Sequence, residues 1–176
     1  MLRLRPYKPA DAAVILSWCK SEIDFRKWTA GCYENYPIAP EDVNRRYFAQ
    51  NGCCEEPDNF YPMTACDEDG VAGHFILRYI GDPGTLRVGF VIVDDQKRGR
   101  GYGKGMLRLA MKMAFEVMGA RRLELGVFEN NLPAYHCYKA AGFRDEPETD
   151  ESYPIMGEMW KLRALSLTRR QYEETL

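Results

Sequence analysis

The sequence predicts a single α/β domain, with antiparallel strands first and a β-α-β-α-β run afterwards. Three observations predict it. Residues 60–93 carry three strand-like runs punctuated by turn residues. Residues 101–118 then switch to helical spacing of apolar residues. The length is 176 residues, close to one domain at roughly 150 residues each. With no repeat, low-complexity tract or linker, residues 1–176 are read as one unit.

Leu2-Arg3-Leu4-Arg5 alternates and predicts a short first strand. Pro9, with Asp11 in the first turn, opens a helix through about Cys19, with Ile15 and Cys19 among its apolar positions. Residues 21–38 read as irregular and aromatic-rich, with Phe25, Trp28, Tyr33 and Tyr36. Pro40-Glu41-Asp42 starts a second helix, with proline and acids where the helix dipole favours them. It ends near Gln50, before a loop with Gly52 and Pro57. Strands follow at 60–67 and 71–80, joined by the hairpin signal Glu68-Asp69-Gly70. Gly81-Asp82-Pro83-Gly84 is a second turn, and Thr85–Val93 is the next strand. Met106, Leu109, Met113 and Val117 mark the helix over 101–118, which Gly119 stops. Arg122–Val127 is a strand, and Asn131–Ala141 is a short helix closed by Gly142. Phe143 begins a further strand, residues 155–167 form the last, and the tail to Leu176 is polar.

Composition excludes several function classes. Hydrophobic residues are 45%, charged residues 28% and the net charge is −2, the balance of a globular protein rather than a disordered chain or a basic nucleic-acid binder. No apolar run approaches the ~20 residues that span a bilayer, and Met1–Pro6 lacks the apolar core of a secretory signal. The expectation is a cytoplasmic protein with neither nucleic acid nor membrane as partner. The six cysteines include no C-x-x-C pair, Cys53 and Cys54 being adjacent. The only histidines are His74 and His136. No metal-ligand spacing is present, so no metal is expected.

The segment from Val93 to Gly105 joins an apolar strand to an amphipathic helix. It reads Asp94-Asp95-Gln96-Lys97-Arg98-Gly99-Arg100-Gly101-Tyr102-Gly103-Lys104. Glycines let backbone approach a ligand closely. The free N–H groups of a helix start, at the positive end of its dipole, make an anion site. Lys97, Arg98, Arg100 and Lys104 add positive charge. A phosphate-bearing ligand is the expectation. The P-loop pattern fails, because Gly105 follows Lys104 and Arg98 stands at the first glycine position. The dinucleotide pattern fails at Lys104 or Met106, depending on register.

What fits is R-x-x-G-x-G at Arg98, Gly101 and Gly103. It resembles motif A of the GCN5-related N-acetyltransferases, the GNAT superfamily. The following helix, Asn131-Leu132-Pro133-Ala134-Tyr135-His136-Cys137-Tyr138-Lys139-Ala140-Ala141-Gly142-Phe143, resembles the family's motif B, N-x-x-A…Y-x-x-x-G-F. Asn131 stands where it can cap this helix. Asn131 and Tyr138 are two turns apart and look the same way. The resemblance covers about residues 85–145.

The resemblance implies a mixed, mostly antiparallel sheet, flanked by helices and splayed between strands four and five, with acetyl-CoA in the gap. The pantetheine arm would pair with the backbone at Val91, Ile92 and Val93 like an added strand. Amides of Arg98, Gly99, Arg100, Gly101, Tyr102, Gly103 and Lys104 would hold the pyrophosphate. Asn131 would reach the pantetheine arm or the helix cap. The implied reaction is direct acetyl transfer from thioester to a primary amine, with Tyr138 as donor to the leaving thiolate. Full proton transfer from an ordinary tyrosine to a thiolate is uphill by roughly 2 kcal/mol, so hydrogen-bond donation is the assigned role. Some relatives carry a glutamate base twelve residues before this tyrosine. That position is Gly126 here, and Glu124, on the same strand face, is the candidate base.

The acceptor is expected to be a small-molecule amine or a peptide N-terminus. The segment holding Trp18, Glu22, Asp24, Phe25, Trp28, Tyr33, Glu34 and Tyr36 has the aromatic faces and carboxylates that suit a cation. Its length loosely resembles the branch that acetylates ribosomal-protein N-termini. Family members commonly dimerise, so a homodimer is a further expectation. The competing class is a catalytically silent module of the same fold that binds acyl-CoA as a sensor or partner domain.

Overall fold

The computed structural model describes residues 1–51, 59–147 and 151–175. The loop with Gly52, Cys53, Cys54 and Pro57 lies outside them, as does Leu176. The strands are β1 (Arg3–Pro6), β2 (Tyr61–Asp67), β3 (Gly70–Ile80), β4 (Asp82–Val93), β5 (Arg122–Phe128), β6 (Arg144–Asp145), β7 (Ser152–Ile155) and β8 (Glu158–Thr168). They form one sheet in the order β1-β2-β3-β4-β5-β8-β6, with β7 also on β8. Among the described residues only β4 and β5 run parallel; the other pairs are antiparallel.

Helices cover both faces: α1 (Asp11–Ser17), α2 (Glu22–Thr29), α3 (Pro40–Asn51), α4 (Tyr102–Lys112), α5 (Leu132–Ala141) and α6 (Arg169–Glu173). The strands sort their side chains by the two-residue alternation. Phe75, Leu77, Leu86, Val88, Leu123 and Leu125 join the core under α4 and α5, with Met106, Leu107, Phe115 and Tyr138. Ile92 and Ile76 face the other way, onto Trp18, Phe25 and Trp28 or Val43 and Tyr47.

Several elements differ from the sequence reading. Residues 22–29, read as irregular, are helix α2. Ser21 caps it by accepting from the Asp24 N–H, and Phe25, Trp28 and Thr29 are buried at helical spacing. The last expected strand is a hairpin, β7–β8, turning through Met156 and Gly157 at φ 53° and 79°. The polar tail forms α6 behind a Thr168–Gln171 capping box. The helix over 101–118 ends in a π-helical turn, Met113–Val117. That widening carries Val117 out to 76% exposure, although the 3.6-residue spacing had placed it on the buried stripe.

Candidate active site

β4 and β5 hydrogen-bond over only three residue pairs: Thr85 with Arg122, Leu86 with Leu123 and Arg87 with Glu124. Beyond them the strands separate. β4 stays paired to β3, as Gly73 with Val93 and His74 with Ile92. On its other edge Val91, Ile92 and Val93 have no strand partner among the described residues. An open edge of this kind is a template for an extended ligand.

A β-bulge helps to open the gap. His74 pairs with Ile92 and Ile76 with Gly89, so Phe90 and Val91 together oppose Phe75. Phe90 has φ 48°, a left-handed backbone that costs a non-glycine residue about 1 kcal/mol or more. Its carbonyl accepts from Trp28 Nε1 at 2.9 Å, which holds the strained residue against α2. Bulges bend a strand and raise its twist. The sequence reading missed Phe90; Gly89, an isolated glycine inside a strand, was the available signal.

The glycine turn stands at the mouth of the gap, between a 3-10 turn, Asp95–Lys97, and α4. Gly99 and Gly101 have φ 74° and 84°, conformations that favour glycine. Gly101 N-caps α4 without a side-chain bond, so no cap side chain occupies the first-turn N–H groups of α4. Gly103 is small for another reason: a Cβ there would come within 2.9 Å of Cys137 Sγ on α5.

The charges around the turn divide into two kinds. Lys97 is committed to Asp67 at 2.5 Å and to Asp69 at 3.3 Å. Arg98 turns back to the carbonyls of Val93, at 3.2 Å, and Trp18, at 3.3 Å. Lys97 is therefore neutralised by carboxylates, whereas Arg98, exposed and bound only to carbonyls, keeps its positive charge beside the turn. Arg100 and Lys104 form no ion pair among the described residues.

On α5, Tyr138 is 7% exposed and packs in the core shared with Leu123, Leu125 and Val127. Its hydroxyl makes no hydrogen bond among the described residues. Burial pushes its ionisation well above the ordinary tyrosine range. Asn131 is the N-cap residue, but its side chain does not cap, and its amide makes no hydrogen bond among the described residues.

Glu124 lies on the opposite sheet face, at the apex of the gap. Arg122 Nε binds its Oε1 at 2.8 Å and Arg87 Nη2 lies 3.7 Å from its Oε2. Arg122 also pairs with Glu146 at 2.8 Å. Tyr138 thus packs against the Leu123–Leu125 face of β5, and Glu124 stands on the other face at the last β4–β5 pair. Gly126 is tightly placed, since a Cβ there would lie 3.0 Å from Leu162 Cδ2.

The aromatic segment is mostly core. Trp18, Phe25, Trp28 and Tyr33 are buried together. Glu22 pairs with Arg26 at 2.9 Å, and Asp24, which forms no ion pair among the described residues, accepts from the Ser21 hydroxyl at 3.0 Å. What remains is a hollow of about 270 Å3 lined by Tyr33, Glu34 and Arg26 on one side and by Pro154, Ile155 and Met156 of the β7–β8 hairpin on the other. The Tyr33 hydroxyl is enclosed without a hydrogen-bond partner among the described residues. The Glu34 carboxylate forms no ion pair among the described residues. Among those residues no three metal-ligating side chains gather, and no helix is long and apolar enough to cross a membrane.

Comparison with known proteins agrees with this geometry. Residues 23–143 match the Acetyltransferase (GNAT) family. A spermine/spermidine N(1)-acetyltransferase of Bacillus subtilis (strain 168) is 34% identical over 58 residues, 33% of this chain and 38% of that protein. The L-amino acid N-acetyltransferase AaaT of Escherichia coli (strain K12) is 30% identical over 86 residues, 48% and 53% of the two chains. The chain thus spans about two fifths to one half the length of these curated relatives. The crystal structure of a spermidine N-acetyltransferase from Vibrio cholerae, in complex with CoA and spermine, superposes with a TM-score of 0.80 over 98% of both chains at 17% identity, a likeness of fold.

Proposed function

The chain belongs to the acetyltransferase (GNAT) family, and on that premise we propose that it transfers acetyl from acetyl-CoA to the primary amine of a small molecule or a peptide N-terminus. The observation that carries the reading is the β4–β5 gap, closed by three residue pairs at one end and opening at the other onto the glycine turn. In this reading the pyrophosphate takes the Arg98–Lys104 amides, with the charges of Arg98, Arg100 and Lys104 beside it. The pantetheine arm runs along Val91–Val93, and Asn131 meets it from the α5 start. The thioester then lies between the two faces of the sheet.

Acetyl-CoA supplies the acyl group; the chain's own residues supply placement and proton handling. The amine must be neutral to attack. Glu124, ion-paired as it is, would accept the proton through water. As the carbon–sulfur bond breaks, the Tyr138 hydroxyl donates a hydrogen bond to the thiolate. Its unspent donor fits that role, since no acceptor among the described residues competes for it. The acceptor enters on the face carrying Glu124, from the hollow beside Glu34. The relatives named above act on polyamines and amino acids, which agrees with a small primary amine. The cytoplasm and a homodimer complete the proposal.

A thermal-shift titration tests the donor half. Acetyl-CoA should raise the melting temperature, while ATP and NAD should not. Stabilisation by ATP or NAD, without stabilisation by acetyl-CoA, would reject it.

A further inference from the structure

One carboxylate from outside the glycine turn ties both of its shoulders. Asp67 closes β2, and its Oδ1 accepts from the Asp69 N–H at 2.9 Å, fixing the β2–β3 hairpin. Its Oδ2 accepts from Lys97 Nζ at 2.5 Å and from the Tyr102 hydroxyl at 2.9 Å. Lys97 is the last residue before the turn and Tyr102 the first of α4. The four residues between them, Arg98–Gly101, include both positive-φ glycines. The Asp67 and Lys97 side chains are only 6% and 14% exposed, so little water competes for the pair. The Lys97 ammonium also stands 5.4 Å from the Tyr102 ring centroid, which closes the three groups on one another.

A carboxylate beside an anion site is unfavourable unless it is neutralised and does something else. Here Lys97 neutralises it, and what it does is set a span. A turn with two glycines samples many conformations when untied. Holding its ends removes that freedom before a ligand arrives, which is how preorganisation raises affinity.

We propose that Asp67 is a positioning residue for the acyl donor: by tying Lys97 to Tyr102 it holds the Gly99–Lys104 amides in the geometry that binds the pyrophosphate of acetyl-CoA. The inference rests on the acetyl-CoA reading above. Asp67 meets neither donor nor reacting atoms and acts through the turn.

The test compares two donors, acetyl-CoA and S-acetylpantetheine, which lacks the pyrophosphate. Asp67→Ala should raise KM for acetyl-CoA about tenfold or more and leave kcat within about twofold. Its kcat/KM for S-acetylpantetheine should equal that of the wild type. Asp67→Asn, which keeps an oxygen for Tyr102 but loses the charge, should fall between. Tyr102→Phe should reproduce part of the KM effect. If Asp67→Ala does not fold, the Asn and Phe variants carry the same comparison. An equal loss with both donors, a loss confined to kcat, or an unchanged KM for acetyl-CoA would overturn the proposal. A wild type that does not bind acetyl-CoA overturns the donor reading itself. A wild type that binds it, with unaltered variants, overturns only the role of Asp67.

Discussion

Replacing Tyr138 with phenylalanine isolates one atom. The ring is 7% exposed and sits in the core with Leu123 and Leu125, so phenylalanine keeps the packing. The hydroxyl has no hydrogen-bond partner among the described residues, so its loss orphans no protein group. Folding stability should stay within about 0.5 kcal/mol of the wild type. The chemical cost should be larger. Burial raises the ionisation of Tyr138 well above its ordinary value, widening its gap from a thiol near pKa 8.5. Complete proton transfer is then uphill by more than ~2 kcal/mol, which leaves hydrogen-bond donation to the thiolate. Removing one such donor costs ~10- to 1,000-fold in turnover. The wild-type profile should show no falling limb from Tyr138 below about pH 10. The assay is single-turnover acetyl transfer with the best acceptor, beside CoA affinity by calorimetry. Unchanged turnover, with chemistry shown to be rate-limiting, would refute the reasoning. So would a loss matched by an equal loss of CoA affinity.

Gly101→Glu places a side chain at φ 84° and a negative charge in the anion site; calorimetry should find acetyl-CoA binding lost while circular dichroism finds the fold intact. Glu124→Gln removes a candidate base while leaving an oxygen for Arg122 Nε; kcat should fall ~10- to 100-fold at neutral pH and recover partly as pH rises and more of the amine is neutral. A pH-independent loss would make Glu124 structural. His74 is fully buried, hydrogen-bonded to the Tyr47 hydroxyl at 2.7 Å and driven down to about 3 by burial. Its folded value lies below its unfolded one, so its contribution is whole above about pH 6.5 and is lost as pH falls toward 3. Urea unfolding should show stability declining by up to about 1.4 kcal/mol per pH unit in that window, and His74→Gln should flatten the slope.

The fold and the glycine turn were legible because their signals are local. Gly99, Gly101 and Gly103 stand between an apolar strand and an amphipathic helix, and each has its own reason to be glycine or to lie at a helix start. Helix α2 was legible in principle, since Ser21 and Asp24 form a capping pattern, but its aromatics hid the helical spacing. The roles of Lys97 and Arg98 were not legible. Sequence shows a cation near a phosphate turn; it does not show that Asp67, thirty positions earlier, neutralises Lys97, or that the Trp18 carbonyl orients the Arg98 guanidinium. The partners of the acceptor-side carboxylates were hidden for the same reason. Glu22 and Asp24 find partners within their own helix turn, whereas the Glu34 hollow depends on a hairpin over a hundred residues away.

The most direct measurement is CoA release from acetyl-CoA, with mass spectrometry of the acceptor, across diamines, amino acids, aminoglycosides and peptide N-termini. The account predicts release that depends on the acceptor and an acetylated amine formed one for one with CoA. Binding of acetyl-CoA with no acceptor-dependent release from any amine would contradict it, and would leave the chain as a silent acyl-CoA-binding module of the same fold.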